Sequence, residues 1–433
     1  MPTAPVIGIV VVHYGTDELT LRCLRSLSAD SESPPSRLVL VDNGPGPGFA
    51  RQVRVELPQV LVLGTGQNLG FAAGCNLGIS ALAEVPYIAL VNSDMEVPRG
   101  WLTPLLETLE GDARCASASP KIRFDGRFHT IEIVAEPSWR PGRGDRRQLT
   151  WRLEGASIGG RDVMASCQLV EGFWEPRPSG IWAGERAVLR VPSDPTARVV
   201  DLIVGTPPGQ GVRLRTADGT VTEVPPGGGR FSLALGGDAV PVINNVGTAW
   251  RADGYGIDVG FQEVDEGQHD RPAPVQAWCG GAVLLRRNYL SQMGGFDGRL
   301  FLYYEDLELS LRGASSGWWY AYDPRSVVAH RHAASSAQQP QRVARLKERN
   351  RLLVVARHGT IAQLGAQLLR FAAVTWSYLQ RDVVAAILRG DKPWWGEVRT
   401  RAGAMAGALA LLPAMLRARR LDRRARAGMD VLA

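Results

Sequence analysis

Cysteine is scarce in this chain. Five cysteines, Cys23, Cys75, Cys115, Cys167 and Cys279, are spread over 433 residues, and no two form a CxxC pair. An odd, scattered set excludes a disulfide framework and a structural zinc site, and fits a reducing compartment. Long apolar runs are also missing. A membrane-spanning helix needs roughly 20 apolar residues. The nearest stretch, Ala402–Leu416, is shorter and is interrupted by Pro413. The opening MPTAPVIGIVVVHYG has no basic leader and no small-residue cleavage site, so Val6–Val12 is expected to be a buried strand, not a signal peptide. No internal repeat recurs at a period of about 20–50 residues.

What is there has the balance of a globular protein, 45% hydrophobic against 21% charged, in a chain long enough for roughly two or three domains. The first part alternates strand and helix signals. Ile7–Val12, Leu38–Val41, Val60–Leu63 and Tyr87–Val91 read as strands, Glu18–Leu27 and Ala72–Leu82 as helices. That rhythm predicts an α/β fold with a largely parallel sheet and helices on both faces. Ligands of such sheets bind beyond the carboxyl ends of the strands. His13-Tyr14, Asp42-Asn43 and Asn92-Ser93-Asp94 fall there.

The pattern then changes. Ala187–Val191, Val199–Val204, Val212–Thr216, Thr220–Val224 and Arg230–Leu235 are short β-rich runs separated by Gly, Pro and Asp-Gly turns, which predicts an inserted β-sandwich. The α/β pattern resumes with a strand at Ala282–Leu285 and helices at Arg287–Met293, Glu305–Ser315 and Arg342–His358. Helical stretches follow at Ile361–Leu388 and, past Pro393-Trp394-Trp395, to the end. The expected division is 1–136 and 243–358 for the two parts of the α/β domain, 137–242 for the insert, and 359–433 for a basic helical extension.

Three groups of residues carry chemistry. Asp94 ends a strand, where a carboxylate can hold Mg²⁺ or Mn²⁺, although a turn or cap aspartate looks the same. Glu305-Asp306 sits among aromatics, where a carboxyl can be raised to suit a general base; helix-start acids are the plain alternative. His330, in His330-Arg331-His332, can complete a metal site or be simply structural.

Taken in order, His13-Tyr14, Asp42-Asn43, the run Asn68-Leu69-Gly70-Phe71-Ala72-Ala73-Gly74-Cys75-Asn76, Asn92-Ser93-Asp94, Gly294-Gly295-Phe296-Asp297, Glu305-Asp306 and His330…Ser335-Ser336 resemble the inverting family 2 glycosyltransferases of GT-A fold. The rhamnosyltransferase-like branch is nearest, over about residues 5–125 and 243–358. The resemblance implies that Asp42 binds the pyrimidine imide, with His13, Tyr14, Asn43, Gly70, Asn76 and Ser93 in the nucleotide-sugar pocket. It implies Arg349 and Asn350 facing the diphosphate, and Trp278, Gly280 and Gly281 bordering the sugar and acceptor. It makes Asp94 and His330 ligands of Mn²⁺ or Mg²⁺, and Asp306 the base with Glu305 beside it. The usual Asp-x-Asp has Asn92 in its first position; Glu96, two residues on from Asp94, either compensates or is a plain exposed acid.

Implied partners are a dTDP-rhamnose or UDP-sugar donor and a glycan or polyprenyl-linked acceptor, in cell-surface polysaccharide synthesis. A non-catalytic glycan-binding protein and a sugar nucleotidyltransferase remain as alternatives. The second would be expected to carry a Gly-rich loop with Lys or Arg, which Gly15-Thr16-Asp17-Glu18 lacks. No GxGxxG occurs, which argues against a dinucleotide oxidoreductase. In the insert, Trp174 and Trp182, with Glu175 and Glu185 nearby, suit either stacking on sugar rings or a sandwich core. Six arginines from Arg417 to Arg426 suit an anionic membrane surface or a solvated helix end. The expected location is cytoplasmic, peripheral on the inner membrane face, with no nucleic-acid partner and oligomerisation left open.

Overall fold

The structure, a computed structural model, describes residues 7–140, 147–174, 176–177, 179–331 and 339–430. Glu175, His332, Ser335 and Ser336 lie outside the described residues. The first strand, Ile7–His13, is buried at every position. Ile7, Ile9 and Val11 enter one apolar core and Val10 and Val12 another, on opposite faces of the sheet. That is the period of two of an extended chain, and burial on both faces explains the unbroken β-branched run.

Ser36–Asp42 and Tyr87–Asn92 flank this strand in parallel, and Leu61–Gly64 lies outside Ser36–Asp42. Beyond Tyr87–Asn92 the sheet turns mixed. Ala282–Arg286 pairs antiparallel with Tyr87–Asn92 and with Cys115–Phe124, while Trp319–His330 runs parallel to Cys115–Phe124. The sheet is thus largely parallel, as expected, with Ala282–Arg286 running against its neighbours between Tyr87–Asn92 and Cys115–Phe124. A parallel neighbour needs a long crossover, usually helical. Between Ile243 and Ala282 the chain makes loops and short strands instead.

Helices cover both faces. Asp17–Ser28 buries Thr20, Leu21, Cys23, Leu24 and Leu27, the stripe expected of a half-buried helix. Phe71–Ser80 packs on the other face through small residues. A Cβ at Gly78 would lie 2.4 Å from Val10 Cγ1, so glycine here permits the close helix–strand approach. All five cysteines are free thiols.

The insert is one nine-stranded antiparallel sheet curled round its own core of Ile133, Trp151, Leu153, Leu189, Leu202, Leu214 and Leu233. It begins with Phe128–Glu136, ahead of the expected boundary at Pro137, and includes Trp151–Ile158 and Gln168–Phe173, which the sequence reading left out. Ile181–Pro192 pairs with Trp151–Ile158 at its start and with Phe128–Glu136 at its end, so the two layers share a strand. Trp174 and Trp182 stand outside that core. Trp182 stacks on Trp139 at 6.0 Å, and Arg152 and Arg147 lie over Trp182 and Trp174.

Past the sheet come Pro340–His358, Ile361–Tyr378 with a Thr360/Gln363 capping box, a π-helical segment Leu379–Val384, and Ala385–Arg389. Gly396–Asp430 is one helix, with Pro413 inside it. Its Ala404, Ala408 and Met415 pack with Leu352, Leu353 and Phe371. Arg419, expected in the free basic tail, is buried and donates to the Ala356 carbonyl at 3.0 Å. Among the described residues no helix is long and apolar enough to cross a membrane.

Candidate active site

A cleft of about 700 Å³ opens at the carboxyl ends of the strands. Tyr14, Asn43, Gly70, Ser93, Asp94, Asp306 and His330, all singled out from sequence, line it.

At one wall His330 Nε2 lies 3.2 Å from Asp94 Oδ1. The two arrive on different elements, Asp94 in the turn after Tyr87–Asn92 and His330 at the end of Trp319–His330. Arg331 N–H donates to the Asp94 carbonyl at 3.0 Å and fixes the approach. His330 Nδ1 is 3.0 Å from the buried Asn244 Oδ1, an acceptor that places the ring proton on Nδ1. With the ring neutral, Nε2 offers a lone pair to a cation shared with the Asp94 carboxylate; with the ring protonated, the two pair directly. Among the described residues no group of three or more His, Cys, Asp or Glu is placed to hold a metal ion. An oxygen and a nitrogen ligand suit a divalent ion that takes its remaining ligands from phosphate and water. Glu96 does not join them: its carboxylate is bound by Arg22 at 2.6 Å.

Asp306 is held at both oxygens. Gly280 N–H donates to Oδ2 at 2.9 Å and Leu307 N–H to Oδ1 at 2.7 Å. Burial raises its pKa, those two bonds oppose the rise, and Asp258 adds to it. Glu305 starts the helix Glu305–Ala314, is buried and is absent from the cleft lining. Burial, and then the Asp306 charge, push its carboxyl up to about 8. Gly280 thus positions the Asp306 carboxylate. Gly281 accepts from Asn92 N–H at 2.8 Å, tying this loop to the Asp94 turn. Trp278, expected at the pocket border, is fully buried edge-on to Phe296 in the core behind. Its size and apolarity fit both places, and sequence alone does not separate them.

Phe301, Tyr303 and Tyr304 hold φ of 66°, 71° and 70°, costly for residues with side chains. Asn350 Nδ2 lies 2.7–2.9 Å from the carbonyls of Leu300, Leu302 and Tyr303, and Arg349 donates to those of Arg299 and Leu300. These two residues therefore clamp the strained loop instead of facing the cleft. The cations that line the cleft are Arg342, over the Phe301 ring, and Lys347, over Tyr303. They precede Arg349 and Asn350 on the same helix, a choice its basic sequence leaves open. The Phe301 carbonyl accepts from Phe71 N–H at 2.7 Å. Gly70 meets it with φ of +84°, and a Cβ there would stand 2.5 Å from that carbonyl oxygen.

The remaining sequence candidates are supports. Asp42 is buried, accepts from Gly44 N–H at 2.9 Å and lies 3.9 Å from His13 Nε2. His13, under the Phe49 ring, is lowered by burial against the pull of Asp42 and Asp17. Asn43 Nδ2 donates to the Gly70 carbonyl at 3.1 Å. Asn76 bonds both the N–H and the carbonyl of Phe296, pinning the Gly294–Asp297 turn. Asp297 and Glu308 meet Arg357, which also binds Asp422 of the last helix. Thr248, Tyr255, Gly256 and Asp258, a cleft wall with no periodic signal in sequence, were missed.

Residues 8–165 match the model of glycosyl transferase family 2. Over 337 residues the chain is 26% identical to the N-acetylglucosaminyl-diphospho-decaprenol L-rhamnosyltransferases of two Mycobacterium tuberculosis strains, covering 77% of this chain and 79% of theirs. Among solved structures it is similar to GalNAc-T7 with UDP, GalNAc and Mn²⁺, at a TM-score of 0.43 and 13% identity. That match covers 82% of this chain and 48% of the other, so the chain spans about half of its length. A second is mannosyltransferase PcManGT from Pyrobaculum calidifontis with GDP-Man and Mn²⁺, at TM-score 0.41 and 11% identity, covering 99% and 88%.

Proposed function

We propose, from the glycosyl transferase family 2 domain this chain carries in its GT-A-type mixed sheet, that it moves a sugar with inversion from a nucleoside diphosphate to a lipid-linked saccharide. The preferred donor is dTDP-rhamnose, with UDP-hexoses second; the acceptor is a polyprenyl-diphosphate saccharide or a related glycan. The relatives' names support rhamnose and a decaprenol-linked acceptor. The observation that carries the reading is the Asp94–His330 pair lining the same cleft as Asp306.

Asp94 and His330 would hold Mn²⁺ or Mg²⁺, which would neutralise the diphosphate. Arg342 and Lys347 add positive charge on the cleft wall. Asp306 takes the proton of the acceptor hydroxyl as its oxygen attacks the anomeric carbon. The bond from that carbon to the diphosphate oxygen breaks, and the nucleoside diphosphate leaves with the electron pair. One displacement on one face inverts the centre. The test is product formation from dTDP-rhamnose and a polyprenyl-diphosphate N-acetylglucosamine, with Mn²⁺ and with EDTA. Transfer that is abolished by EDTA and restored by Mn²⁺ supports it; no transfer from either dTDP-rhamnose or UDP-hexoses refutes it.

A lipid-linked acceptor suits the outer face of the helical extension. Ile361–Tyr378 turns Leu364, Gln367 and Phe371 inward and leaves Ile361, Leu369 and Trp376 out; Leu388 is 82% exposed. Arg417, Arg420, Arg423 and Arg424 are exposed on the last helix, Gly396–Asp430. Each basic residue near an anionic bilayer contributes about 1 kcal/mol, enough for peripheral binding. Flotation with phosphatidylglycerol vesicles checks it: Leu369→Glu with Leu388→Glu should lose the lipid fraction and keep turnover on a water-soluble acceptor. Equal recovery of wild type and variant ends the membrane reading.

A further inference from the structure

Asp258 is a cleft-facing carboxylate that the proposed reaction leaves unused. It ends the short strand Gly256–Asp258, which pairs with Thr248–Trp250. Asn245 Nδ2 donates to its Oδ1 at 2.6 Å. Asn245 is itself buried and accepts from Gly247 N–H at 2.7 Å. Its neighbour Asn244 holds His330. Two consecutive buried asparagines on Ile243–Asn245 thus aim one cleft residue each. A carboxylate has about four acceptor positions, so the amide bond leaves others for a ligand.

The surroundings fix which part of a ligand meets it. Asp258 lies within electrostatic reach of the Lys347 ammonium and the His330 ring, and its own charge reaches Asp306. It therefore stands beside the space between the metal pair and the base. In the transfer reaction the anomeric carbon must occupy that space, with diphosphate on one side and acceptor hydroxyl on the other. The ring of the transferred sugar is what comes alongside. Asp258 does not make a third metal ligand with Asp94 and His330, since no such group of three exists among the described residues.

We propose that Asp258 recognises the transferred sugar, accepting hydrogen bonds from its ring hydroxyls, and so determines which donor sugar this chain accepts. This rests on the donor reading above. A hydroxyl bound to a carboxylate makes a charge-assisted bond, and its loss is worth roughly 10- to 100-fold in affinity. A site built around such a bond discriminates strongly against a sugar without the hydroxyl.

The experiment is calorimetric titration of the full chain and of Asp258→Asn and Asp258→Ala with dTDP and with dTDP-rhamnose, each with Mn²⁺. UDP and UDP-glucose form a parallel pair. Asparagine keeps an oxygen for Asn245, and thermal melts of both variants verify the fold. The expected result is dTDP affinity within about 2-fold of wild type and a roughly 10- to 100-fold loss for dTDP-rhamnose. An equal loss on dTDP alone overturns the proposal in favour of a metal or nucleotide contact. Unchanged binding of the sugar nucleotide overturns it outright. Wild type that binds neither sugar nucleotide defeats the donor reading itself, and that arm is read before any variant.

Discussion

Asn244 and His330, far apart in sequence, share a hydrogen bond of 3.0 Å that sets which imidazole nitrogen faces Asp94. The asparagine lies on the strand that returns from the insert, the histidine at the end of the strand Trp319–His330.

Loss of that bond should loosen the proposed metal site. Partners of this kind typically affect metal affinity 10- to 100-fold. Asn244→Leu should raise the Mn²⁺ concentration for half-maximal turnover by about that factor, with the maximal rate recovering at high Mn²⁺. A titration curve superimposable on wild type would show that the asparagine does not orient a ligand.

Asp306→Asn should lower turnover by roughly 10²–10⁴ while nucleoside diphosphate binding stays near normal. Because burial raises the Asp306 carboxyl, the acid limb of the pH–rate profile should sit above the ordinary aspartate range. Activity falls as pH drops through that limb, since the base must be ionised. A variant with more than half of wild-type turnover would sink the assignment.

Glu308 gives the opposite sign. Burial would raise it, but Arg312, His358 and Arg357 outweigh burial and hold it far below the usual range. A carboxyl depressed in the fold adds stability above its unfolded pKa, and that contribution is lost as pH falls toward the folded value. Wild type should lose stability from about pH 5 downward, and Glu308→Gln should flatten that dependence. At neutral pH the variant should be about 3–5 kcal/mol less stable, because Arg312 and Arg357 lose a buried partner. Denaturant unfolding at several pH values measures both, and parallel pH profiles for the two proteins would contradict the account.

Gly70→Ala should separate binding from folding. The new methyl group meets the Phe301 carbonyl, and the positive φ adds strain of roughly 1–3 kcal/mol. The expected outcome is a raised donor KM with a small fall in melting temperature. Normal kinetics with an unchanged melt would mean that the Phe301 loop does not press on this turn.

The strands and most helices were legible because their signals are local. Ile7–His13 is a β-branched run, and Arg287–Met293 falls within its expected limits. Asp94, His330 and Asp306 stood out because carboxylates and imidazole at strand and helix ends are few. Other features depended on what lies opposite. Arg349 and Asn350 look like phosphate ligands until the carbonyls of the Arg299–Tyr303 loop are seen before them. Cys115–Phe124 is almost wholly buried and shows no alternation to announce a strand. Asp258 was hidden in a Gly- and Asp-rich stretch with no period, where turn chemistry and ligand chemistry use the same residues.

The nine-stranded insert leaves and rejoins its host at one point. Phe124 N–H bonds to the Val242 carbonyl, and Phe128 and Val240 exchange both backbone bonds at 2.9 Å. Once the insert has folded, its ends are held as close as those of a tight turn. The loop-closure entropy of that long excursion is then met within the insert, and the host strands pair as if joined by a few residues. The closing strand leads directly into Asn244 and Asn245. Fraying where the insert joins would therefore be transmitted first to His330 and Asp258, before the rest of the sheet registers it.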